Sequence, residues 1–551
     1  MQFYERSMLS NFDLLYEGEG IMKKLTKNGK LLLILTCLFY SGESVMLVVI
    51  AYVDGKIIEY AEEKQMGMMF RMIGSAVILA LLVYLLIAAA TWTRLQFLAD
   101  GVLNMRCGIM KNILQRPIKS FRGEKDAFYI NLLTADTALY RDNALNQIPF
   151  LFCSAAAIVS SAVMLWRLNI FLLLAAVVMA AVPLVVTKPF TKWEEKKMEL
   201  FSEKSEMHMN TLKETIEGYE TIRTGCGGGR FLHRYEQAAG MLQRGYSESE
   251  FVSTMSFETL MSVASLSSIV CMGLGGWLVV KGALTAGMLF AAVRYFSSLS
   301  NHFTNTIEYA IHIRASKKVI AKLDGQRQVE SLQSCGITMI PPLEISYEHV
   351  AFAFGERQLY RDLSYCFKAG GCYAVVGESG SGKSTLVKLF LKYYDEYSGS
   401  ITLSGQDIRN IPEEEIYAAV GVVDQAPYLF YASLYENITL FGNLPPQDSG
   451  EYCELLEKLG LSLLAKRVEN MPLGDFGDNI SGGERQRIAV ARALIRHPQI
   501  LIFDEPAAAL DPVTRDSLNE LIFSLRGYTR IVITHDRREE YLSRFDGTVN
   551  L

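Results

Sequence analysis

The chain has 551 residues, a hydrophobic fraction of 50%, and 54 basic against 59 acidic side chains, which gives a formal net charge of −5. This length suggests more than one domain. So high a hydrophobic fraction excludes a disordered or collagen-like chain, and the near-neutral charge gives no indication of a nucleic-acid partner. The 9 cysteines are scattered without a C-x-x-C pair, so neither a zinc site nor a disulfide framework is predicted.

Six long apolar stretches occupy the first three-fifths of the chain, and each approaches or exceeds the roughly 20 residues of a membrane-spanning helix. They cover approximately residues 31–53, 73–93, 147–168, 170–186, 257–280 and 284–312. The fourth is the shortest but almost uncharged, and a brief turn joins it to the third as a helical hairpin. The pattern predicts an all-α, six-helix transmembrane domain at residues 31–321, with long cytosolic helical extensions.

Several lysines, among them Lys27 and Lys30, precede the first apolar stretch. A signal peptide would explain them, but five further apolar stretches favour the positive-inside rule, which places the N-terminus in the cytoplasm. An even number of spans returns the C-terminus there too, so we expect a multi-pass protein of the cell membrane. Residues 1–30 form a cytosolic lead-in, in which translation starts at either Met1 or Met22.

The chain changes character after the sixth stretch. Residues 322–342 lose their apolar periodicity and end in two prolines, which is typical of a linker. From Leu343 onward, short β-rich runs alternate with helical stretches, as in a mostly parallel α/β sheet. We therefore predict a cytosolic α/β domain at residues 343–551.

A glycine-rich stretch directly follows one of these predicted strands and precedes a predicted helix. It reads Gly377-Glu378-Ser379-Gly380-Ser381-Gly382-Lys383-Ser384-Thr385. In this G-x-x-x-x-G-K-[ST] motif, backbone N–H groups cradle phosphate at the helix N-terminus, Lys383 reaches the β- and γ-phosphates, and Ser384 can ligate Mg²⁺. The motif predicts a P-loop nucleotide-binding domain.

Two further motifs point to chemistry on a bound phosphate. An apolar strand ends in Asp504 and Glu505, where the first carboxylate would hold Mg²⁺ through water and the second could orient the attacking water of an in-line displacement. Another helix opens with Ser481-Gly482-Gly483-Glu484, and such a turn at a helix N-terminus forms a second anion site.

The order of these motifs resembles that of the ATP-binding cassette family. After the phosphate loop come Gln425 behind a strand, Ile480-Ser481-Gly482-Gly483-Glu484 for the family's L-S-G-G-Q, Asp504-Glu505, Ala509-Leu510-Asp511 and His535. Six spans ahead of one cassette resemble a half-transporter of the bacterial exporter type. The resemblance covers essentially the whole chain and implies that it binds and hydrolyses ATP.

The resemblance also implies a role for each matching residue. Phe354 would stack on adenine, Gln425 would touch Mg²⁺ and sense the transmembrane part, and His535 would contact the γ-phosphate. Two cassettes of this family close head to tail, so residues 481–484 of one chain would cap ATP held by residues 377–385 of the other, with Asp511 bridging between them. A second transporter half, identical or different, is therefore an implied partner.

By the same resemblance, residues 129–137 and 217–224 would form the coupling helices that rest on the cassettes. Two departures from the family pattern stand out. Glu484 replaces the signature glutamine, and the chain ends at Leu551, soon after His535, so the usual last helices of the cassette are missing. We expect the second departure to affect the stability or regulation of the dimer before it affects hydrolysis.

Polar residues recur along one face of the sixth apolar stretch. At 100° per residue, they fall within an arc of roughly 60°; they are Arg294, Asn301, Asn305, Glu308 and His312. Such residues in spanning helices usually face a bundle interior or an aqueous cavity, which predicts a substrate path, although helix–helix hydrogen bonding is an alternative. Glu43 lies at a similar depth in the first stretch, and we expect it to pair with Arg294 in at least one state.

Together these patterns predict an ATP-driven transporter that exports a peptide, a lipid or an amphipathic small molecule. ATP would close the cassette dimer and open the cavity outward, and hydrolysis would reset it. Two alternatives remain: an exporter-shaped importer, and an ATP-gated or regulatory membrane protein that moves no substrate. The sequence does not indicate the cargo.

Overall fold

The computed structural model describes residues 25–124, 126–186, 188–327, 343–355, 357–442, 445–447, 449–468, 471–473, 480–507 and 510–551. The chain forms two compact units, one of residues 1–114 and 126–328, the other of residues 115–125 and 329–551. Both candidate start methionines, Ala509 and the predicted linker from residue 328 onward lie outside the described residues. The first six linker residues are helical instead, because they end the helix Lys317–Arg327.

The described part of the first unit is built from helices. In chain order they are α1 (Lys27–Glu62), α2 (Met66–Leu114), α4 (Asp126–Asn131), α5 (Thr137–Tyr140), α6 (Gln147–Leu168), α7 (Ile170–Val186), α8 (Lys188–Glu217), α9 (Tyr219–Thr224), α10 (Gly228–Val280), α11 (Ala286–Ala315) and α12 (Lys317–Arg327). Two π-helical turns, Leu132–Asp136 and Arg141–Leu145, flank α5. The short α3 (Ile118–Arg122) belongs to the second unit.

Each of the six predicted apolar stretches lies within a helix, except for residues 284 and 285 of the sixth, which precede α11. Length and composition support only part of the predicted count. Within the described residues, four helical segments are long and apolar enough to cross a membrane: Lys27–Glu62, Met66–Leu114, Phe128–Leu168 and Gly228–Val280. Helix α7 has 17 residues and is shorter than a usual span. Helix α11 carries the predicted polar stripe, which lowers its mean hydropathy.

Large apolar side chains cover the outside of these long helices. On α2, only 6% of the most apolar window is buried, and Leu81 and Leu85 are 60% and 61% exposed. A protein surrounded by water rarely shows so large an apolar surface, whereas hydrocarbon accepts it and leaves the helical backbone hydrogen bonds intact. The first unit is therefore shaped for a bilayer.

The second unit contains two sheets. The strands are β1 (Ile345–Phe354), β2 (Arg357–Phe367), β3 (Cys372–Val376), β4 (Ser398–Leu403), β5 (Gln406–Asp407), β6 (Val420–Val423), β7 (Ile500–Asp504), β8 (Thr529–Thr534) and β9 (Gly547–Asn550). An antiparallel sheet has the order β2-β1-β4-β5, and a parallel sheet has the order β6-β7-β8-β3-β9. Of the parallel strands, β3 and β7 are short apolar runs buried on both faces, as crossover connections require.

Helices connect and cover these strands. They are α13 (Lys383–Phe390), α14 (Glu413–Ala419), α15 (Leu434–Thr439), α16 (Gly450–Lys458), α17 (Ser462–Arg467), α18 (Gly482–Leu494), α19 (Pro512–Ser524) and α20 (Glu539–Leu542). One apolar core joins the two sheets around Val375, Phe390 and Ile502. A second core packs α18 and α19 onto β6 and β7 around Phe503.

The first coupling helix was predicted at residues 129–137, but residues 115–125, which contain α3, are the segment that packs within the second unit. On α3, Lys119 forms an ion pair of 3.1 Å with Asp395, and the Arg122 guanidinium lies 4.8 Å from the centroid of the Tyr393 ring. Residues 129–137 belong to the first unit, where Tyr129 and Leu132 are buried. The second predicted stretch, at residues 217–224, contains helix α9.

Candidate phosphate site

Four adjacent parallel strands end at one edge of their sheet. The order β6-β7-β8-β3 places side by side the segments that follow these strands. Gln425 follows β6, Asp504 and Glu505 end β7, His535 follows β8, and the glycine-rich loop follows β3. Ligands of open α/β sheets bind outside the carboxyl ends of the strands. Motifs separated by more than a hundred residues therefore meet at one site.

The glycine-rich loop wraps around its own lysine. Gly380 and Gly382 have φ angles of +81° and +104°, which only glycine adopts without strain. A Cβ at Gly382 would lie 2.7 Å from the hydroxyl oxygen of Tyr360, and that hydroxyl donates to the Gly382 carbonyl. Lys383 is 5% exposed, and its ammonium donates to the carbonyls of Gly377 (3.2 Å) and Glu378 (3.0 Å).

Ser384 and Asp504 provide adjacent oxygens at the base of the loop. The Ser384 hydroxyl donates to Oδ1 of Asp504 over 2.9 Å. Burial raises the pKa of the Asp504 carboxyl, and the hydrogen bond from Ser384 opposes that shift. A hydroxyl and a carboxylate are hard oxygen ligands of the kind that Mg²⁺ prefers. The donor set therefore fits a magnesium ion held jointly with phosphate.

Glu505 lies between the other two predicted catalytic residues. Its Oε1 is 2.7 Å from Nε2 of His535, and its Oε2 accepts a 3.5 Å contact from the Gln425 amide. The φ angle of Glu505 is +48°, a strained value for a residue with a Cβ, and its N–H donates to the Ile533 carbonyl over 3.1 Å. The strained turn directs the carboxylate toward the other strand ends.

A cleft of about 360 Å³ lies over the loop. Its lining comprises Phe354, Arg357, Leu359, Ser379, Gly380, Gly382, Lys383, Ser384, Thr385, Glu505 and His535. Phe354 is 43% exposed and packs edge-on against Phe352 and Tyr394, which leaves part of its ring surface free. Sequence reasoning missed Arg357, whose guanidinium donates to the Gly380 carbonyl over 3.0 Å.

The residues of the predicted signature, 481–484, begin helix α18 and do not line this cleft. Ser481 and Glu484 form a capping box, in which Ser481 Oγ accepts from the Glu484 N–H (3.2 Å) and Glu484 accepts from the Ser481 N–H (2.9 Å). Partial burial would raise the pKa of Glu484, but the hydrogen bonds from Ser481 and from Arg467 outweigh it and lower that pKa. Glutamate therefore serves as a cap where the family has glutamine.

Asp511 also acts as a helix cap and does not line the cleft. Its carboxylate accepts from the Thr514 N–H over 3.1 Å at the start of α19. Hydrogen bonds from Thr514 lower the pKa of Asp511. The phosphate cleft thus contains the loop and strand-end residues, whereas the signature and Asp511 lie outside it.

Gln486 is a second residue that the sequence analysis missed. It is buried in the first turns of α18, and its amide donates to the backbone carbonyls of Gln425 (2.8 Å) and Asp424 (3.3 Å). Two turns further along, Arg492 donates to the carbonyls of Tyr428 and Asn437, both over 2.9 Å. The signature helix therefore holds the whole segment that carries Gln425.

In the first unit, Arg294 has a different partner from the predicted one. It pairs with Asp54 of α1 over 2.9 Å, about three helical turns from Glu43. Asp54 satisfies the arginine charge and so removes the physical reason for a pair with Glu43 in this structure. In the rest of the stripe, Nε2 of His312 lies 3.8 Å from Oε1 of Glu308.

The stripe lies on an accessible side of α11. Arg294, Asn301 and Glu308 are exposed, Asn305 and His312 are half-buried, and the opposite side buries Tyr295, Phe296 and Leu299 against other helices. The structure therefore brings the stripe residues onto one surface but leaves Glu43 apart from Arg294.

Comparisons with known proteins agree with this geometry. A family model described as ABC transporter transmembrane region matches residues 32–303, and one described as ABC transporter matches residues 360–508. Over 481 residues, the chain is 27% identical to a multidrug resistance ABC transporter ATP-binding and permease protein of Lactococcus lactis; the match covers 83% of this chain and 79% of that relative.

Two further similarities differ in their extent. Over 287 residues, the chain is 31% identical to a mycobactin import ATP-binding/permease protein of Mycolicibacterium smegmatis. This match covers 50% of this chain and 49% of that relative. The chain is also similar to a solved structure of a bacterial Atm1-family ABC exporter with ATP bound, with a TM-score of 0.77. The match covers 94% of this chain and 92% of the solved chain at 21% identity, so it supports the fold.

The predicted fold class is confirmed. The chain belongs to the ABC transporter family, as a half-size transporter of the exporter type in which a helical transmembrane domain precedes one ATP-hydrolysing cassette.

Proposed function

We propose that this ABC transporter exports an amphipathic molecule, such as a peptide, a lipid or a drug-like compound, from the cytoplasm. The Glu505 carboxylate contacts both His535 and Gln425 beside the phosphate loop. This contact is the main support for an active ATPase cycle. A cassette that only bound ATP would not need a carboxylate held next to the γ-phosphate position. A regulatory protein without turnover is therefore less favoured.

In this proposal, different residues of the cleft bind different parts of ATP. Phe354 stacks on the adenine, the loop from Gly377 to Thr385 binds the phosphates, and Lys383 exchanges its two carbonyl partners for phosphate oxygens. Glu505 orients the attacking water, and His535 contacts the γ-phosphate. Ser384, with Asp504 and Gln425 nearby, would hold Mg²⁺, which would neutralise the charge that develops on the phosphates.

The second half of each ATP site comes from another chain in this proposal. Residues 481–484 and Asp511 do not line the cleft of their own chain, whereas the Ser-Gly-Gly turn at the N-terminus of α18 is suited to an anion. We infer that the signature of each chain caps the ATP of its partner, with Asp511 between the two sites. A homodimer satisfies this arrangement, and so does a heterodimer.

The polar stripe of α11 forms the substrate path in this proposal, together with Glu43. Its exposure within the chain supports a surface toward a central cavity, because charged residues facing hydrocarbon are costly. The stripe carries both signs of charge, with Arg294 next to Asp54 and Glu308 next to His312. An amphipathic cargo fits such a mixed surface better than a purely apolar one.

Export is the favoured direction. The relative matched over most of its length is named for multidrug resistance, whereas the relative named for import is matched over about half of its length. Lys27 and Lys30, in the first turn of α1, support cytoplasmic termini in the cell membrane by the positive-inside rule. Import by an exporter-shaped chain remains the second candidate.

Transport into inside-out vesicles tests the proposal. Vesicles that contain the wild-type chain should accumulate fluorescent amphipathic compounds when ATP is added, and Lys383→Ala should abolish this uptake. Glu505→Gln should keep ATP binding but lower hydrolysis by orders of magnitude. Unchanged ATPase activity in Glu505→Gln would refute the catalytic assignment, and uptake only into right-side-out vesicles loaded with ATP would make the chain an importer.

A further inference from the structure

A cavity separate from the ATP site lies at one end of the helix bundle. It has a volume of about 360 Å³ and is lined by residues of α1, α6 and α11. Its lining comprises Tyr52, Gly55, Lys56, Glu59, Met164, Arg167, Leu168, Gly287, Met288, Ala291 and Tyr295. This volume is within the range of small-molecule sites. Neither the ATPase chemistry nor the polar stripe makes use of it.

Close contact between two glycines fixes the wall of the cavity. A Cβ at Gly55 of α1 would lie 2.6 Å from the Gly287 carbonyl oxygen of α11, so the two backbones touch. Next to this contact, Glu59 accepts from Lys56 and from the Thr285 hydroxyl, each over 2.5 Å. Because the Thr285–Glu59 bond joins α1 to the start of α11, the cavity is a feature of the packed fold.

The charges of the lining leave one cation without a partner. Lys56 and Glu59 neutralise each other, whereas Arg167 has no ionic or hydrogen-bond partner within the described part of the chain. Arg167 lies in the last turn of α6, and the N-terminal turn of α11 lies across the cavity with Gly287 in its lining. A free guanidinium and a helix N-terminus both attract an anion.

The rest of the lining is apolar. Met164, Leu168, Met288 and Ala291 contribute aliphatic or thioether surface, and Tyr295 adds its ring. Tyr295 is 1% exposed, and its buried hydroxyl has no hydrogen-bond partner among the described residues. An unsatisfied buried hydroxyl is unfavourable, so a polar ligand group that approached it would be stabilised.

We propose that this cavity binds an amphiphile with one anionic head group, a phosphate or a carboxylate, on an apolar chain. The head group pairs with Arg167 at the helix ends, and the chain packs between the methionines and Leu168. On α11 the cavity face is centred about 80° around the helix from the polar stripe at 100° per residue. The site therefore differs from the proposed substrate path and does not depend on it.

Binding of dodecyl phosphate to the purified full-length chain in phosphatidylcholine nanodiscs tests the site. Radiolabelled dodecyl phosphate should bind saturably at one site per chain. Arg167→Gln should weaken this binding at least about tenfold, as expected for a lost charge-assisted hydrogen bond, whereas Arg167→Lys should retain most of it. Met164→Trp, which fills the cavity without changing its charge, should weaken binding to a similar extent.

Matched controls separate this site from general surface charge. Arg71→Gln removes an exposed cation near the start of α2 and should leave binding unchanged. Lys383→Ala should also bind normally, so a failure of ATP-driven transport would not affect the result. Wild-type affinity in Arg167→Gln, equal weakening by Arg71→Gln, or equal competition by dodecyltrimethylammonium would overturn the proposal.

A second arm identifies the natural source of the ligand. If membrane lipid supplies it, phosphatidylglycerol should co-purify with the wild-type chain and compete with dodecyl phosphate, and both effects should disappear in Arg167→Gln. If a free amphiphile supplies it, phosphatidylglycerol should not compete, while dodecanoate should. Competition by neither anion would contradict the site.

Discussion

Asp504 lies in the phosphate site, and the burial of its carboxyl group affects the stability of the cassette. Because burial raises its pKa, the folded chain favours the protonated form more than the unfolded chain does. The resulting contribution to stability is fully present below the unfolded pKa, roughly 3.9, and is lost as the pH rises through the folded pKa. At neutral pH the ionised carboxylate therefore destabilises the cassette.

Asp504→Asn should accordingly raise the unfolding temperature of the cassette by a few degrees at pH 7.5 while it abolishes ATP hydrolysis. The asparagine oxygen can still accept from Ser384 but carries no charge. Thermal unfolding followed by circular dichroism, together with phosphate release, measures both effects. Asp516→Asn, at an exposed position on α19, serves as a control that should change neither. A lower unfolding temperature in Asp504→Asn would contradict this electrostatic account.

Individual residues of the site differ in how far the sequence could predict them. The phosphate loop was predictable because its nine residues are contiguous and contact one another. Arg357 was not, since its bond to the Gly380 carbonyl spans 23 positions and depends on how β2 packs over the loop. The partner of Arg294 was missed for a similar reason: helical depth alone did not separate Glu43 from Asp54, and only the α1–α11 packing does.

Helices α18 and α19 touch at a glycine of the signature. A Cβ at Gly483 would overlap the Thr514 methyl, while the Thr514 Cβ would remain at an ordinary 3.7 Å. Gly483→Ala should therefore destabilise the cassette, although alanine is usually the better helix residue by roughly 1 kcal/mol. We expect a loss of about 1–3 kcal/mol, as for other overpacked sites.

Thr514→Ser provides the matching test because it removes only the methyl that causes the overlap. The double variant Gly483→Ala with Thr514→Ser should recover most of the lost stability, and a double-mutant cycle in denaturant measures the interaction. Folding is the readout, since Gly483 also belongs to the signature. Additive losses in the two single variants would show that this contact does not explain the glycine.

Gln486 links the signature helix to the segment that carries Gln425. Gln486→Met keeps the size of the side chain but leaves the carbonyls of Asp424 and Gln425 without their donor. We expect a loss of about 1–3 kcal/mol in stability and a lower kcat for ATP hydrolysis, with the KM for ATP nearly unchanged because the phosphate loop is intact. Gln499→Met is a control outside this link; an equal fall in kcat there would refute the role.

Elements were predictable where periodicity was strong and uncertain where packing decides. Long apolar runs marked every helix that holds a predicted span, and alternating strands and helices marked the cassette. The short α3 has no such signal in its five residues, so the first predicted coupling stretch began about three helical turns too late. Its place in the second unit depends on Asp395 and Tyr393, which are distant in sequence.

At the scale of the whole molecule, one chain contains two types of half-site. The phosphate loop and strand ends form a cleft, while the signature forms a separate helix N-terminus on the same cassette. If each ATP is shared by two chains, loss of the loop in one chain and of the signature in the other leaves one complete site. If each chain acts alone, the same combination leaves none.

Mixed dimers distinguish these two cases. Lys383→Ala and Ser481→Arg should each abolish the ATPase activity of a homodimer. Purified through two different affinity tags, the mixed dimer should regain up to about half of the wild-type activity, because the intact loop of one chain meets the intact signature of the other. A mixed dimer of Lys383→Ala with Ser384→Ala should stay inactive, since both changes affect the loop. No recovery in the first mixture, with both chains folded and paired, would show that the signature does not act on the partner's ATP.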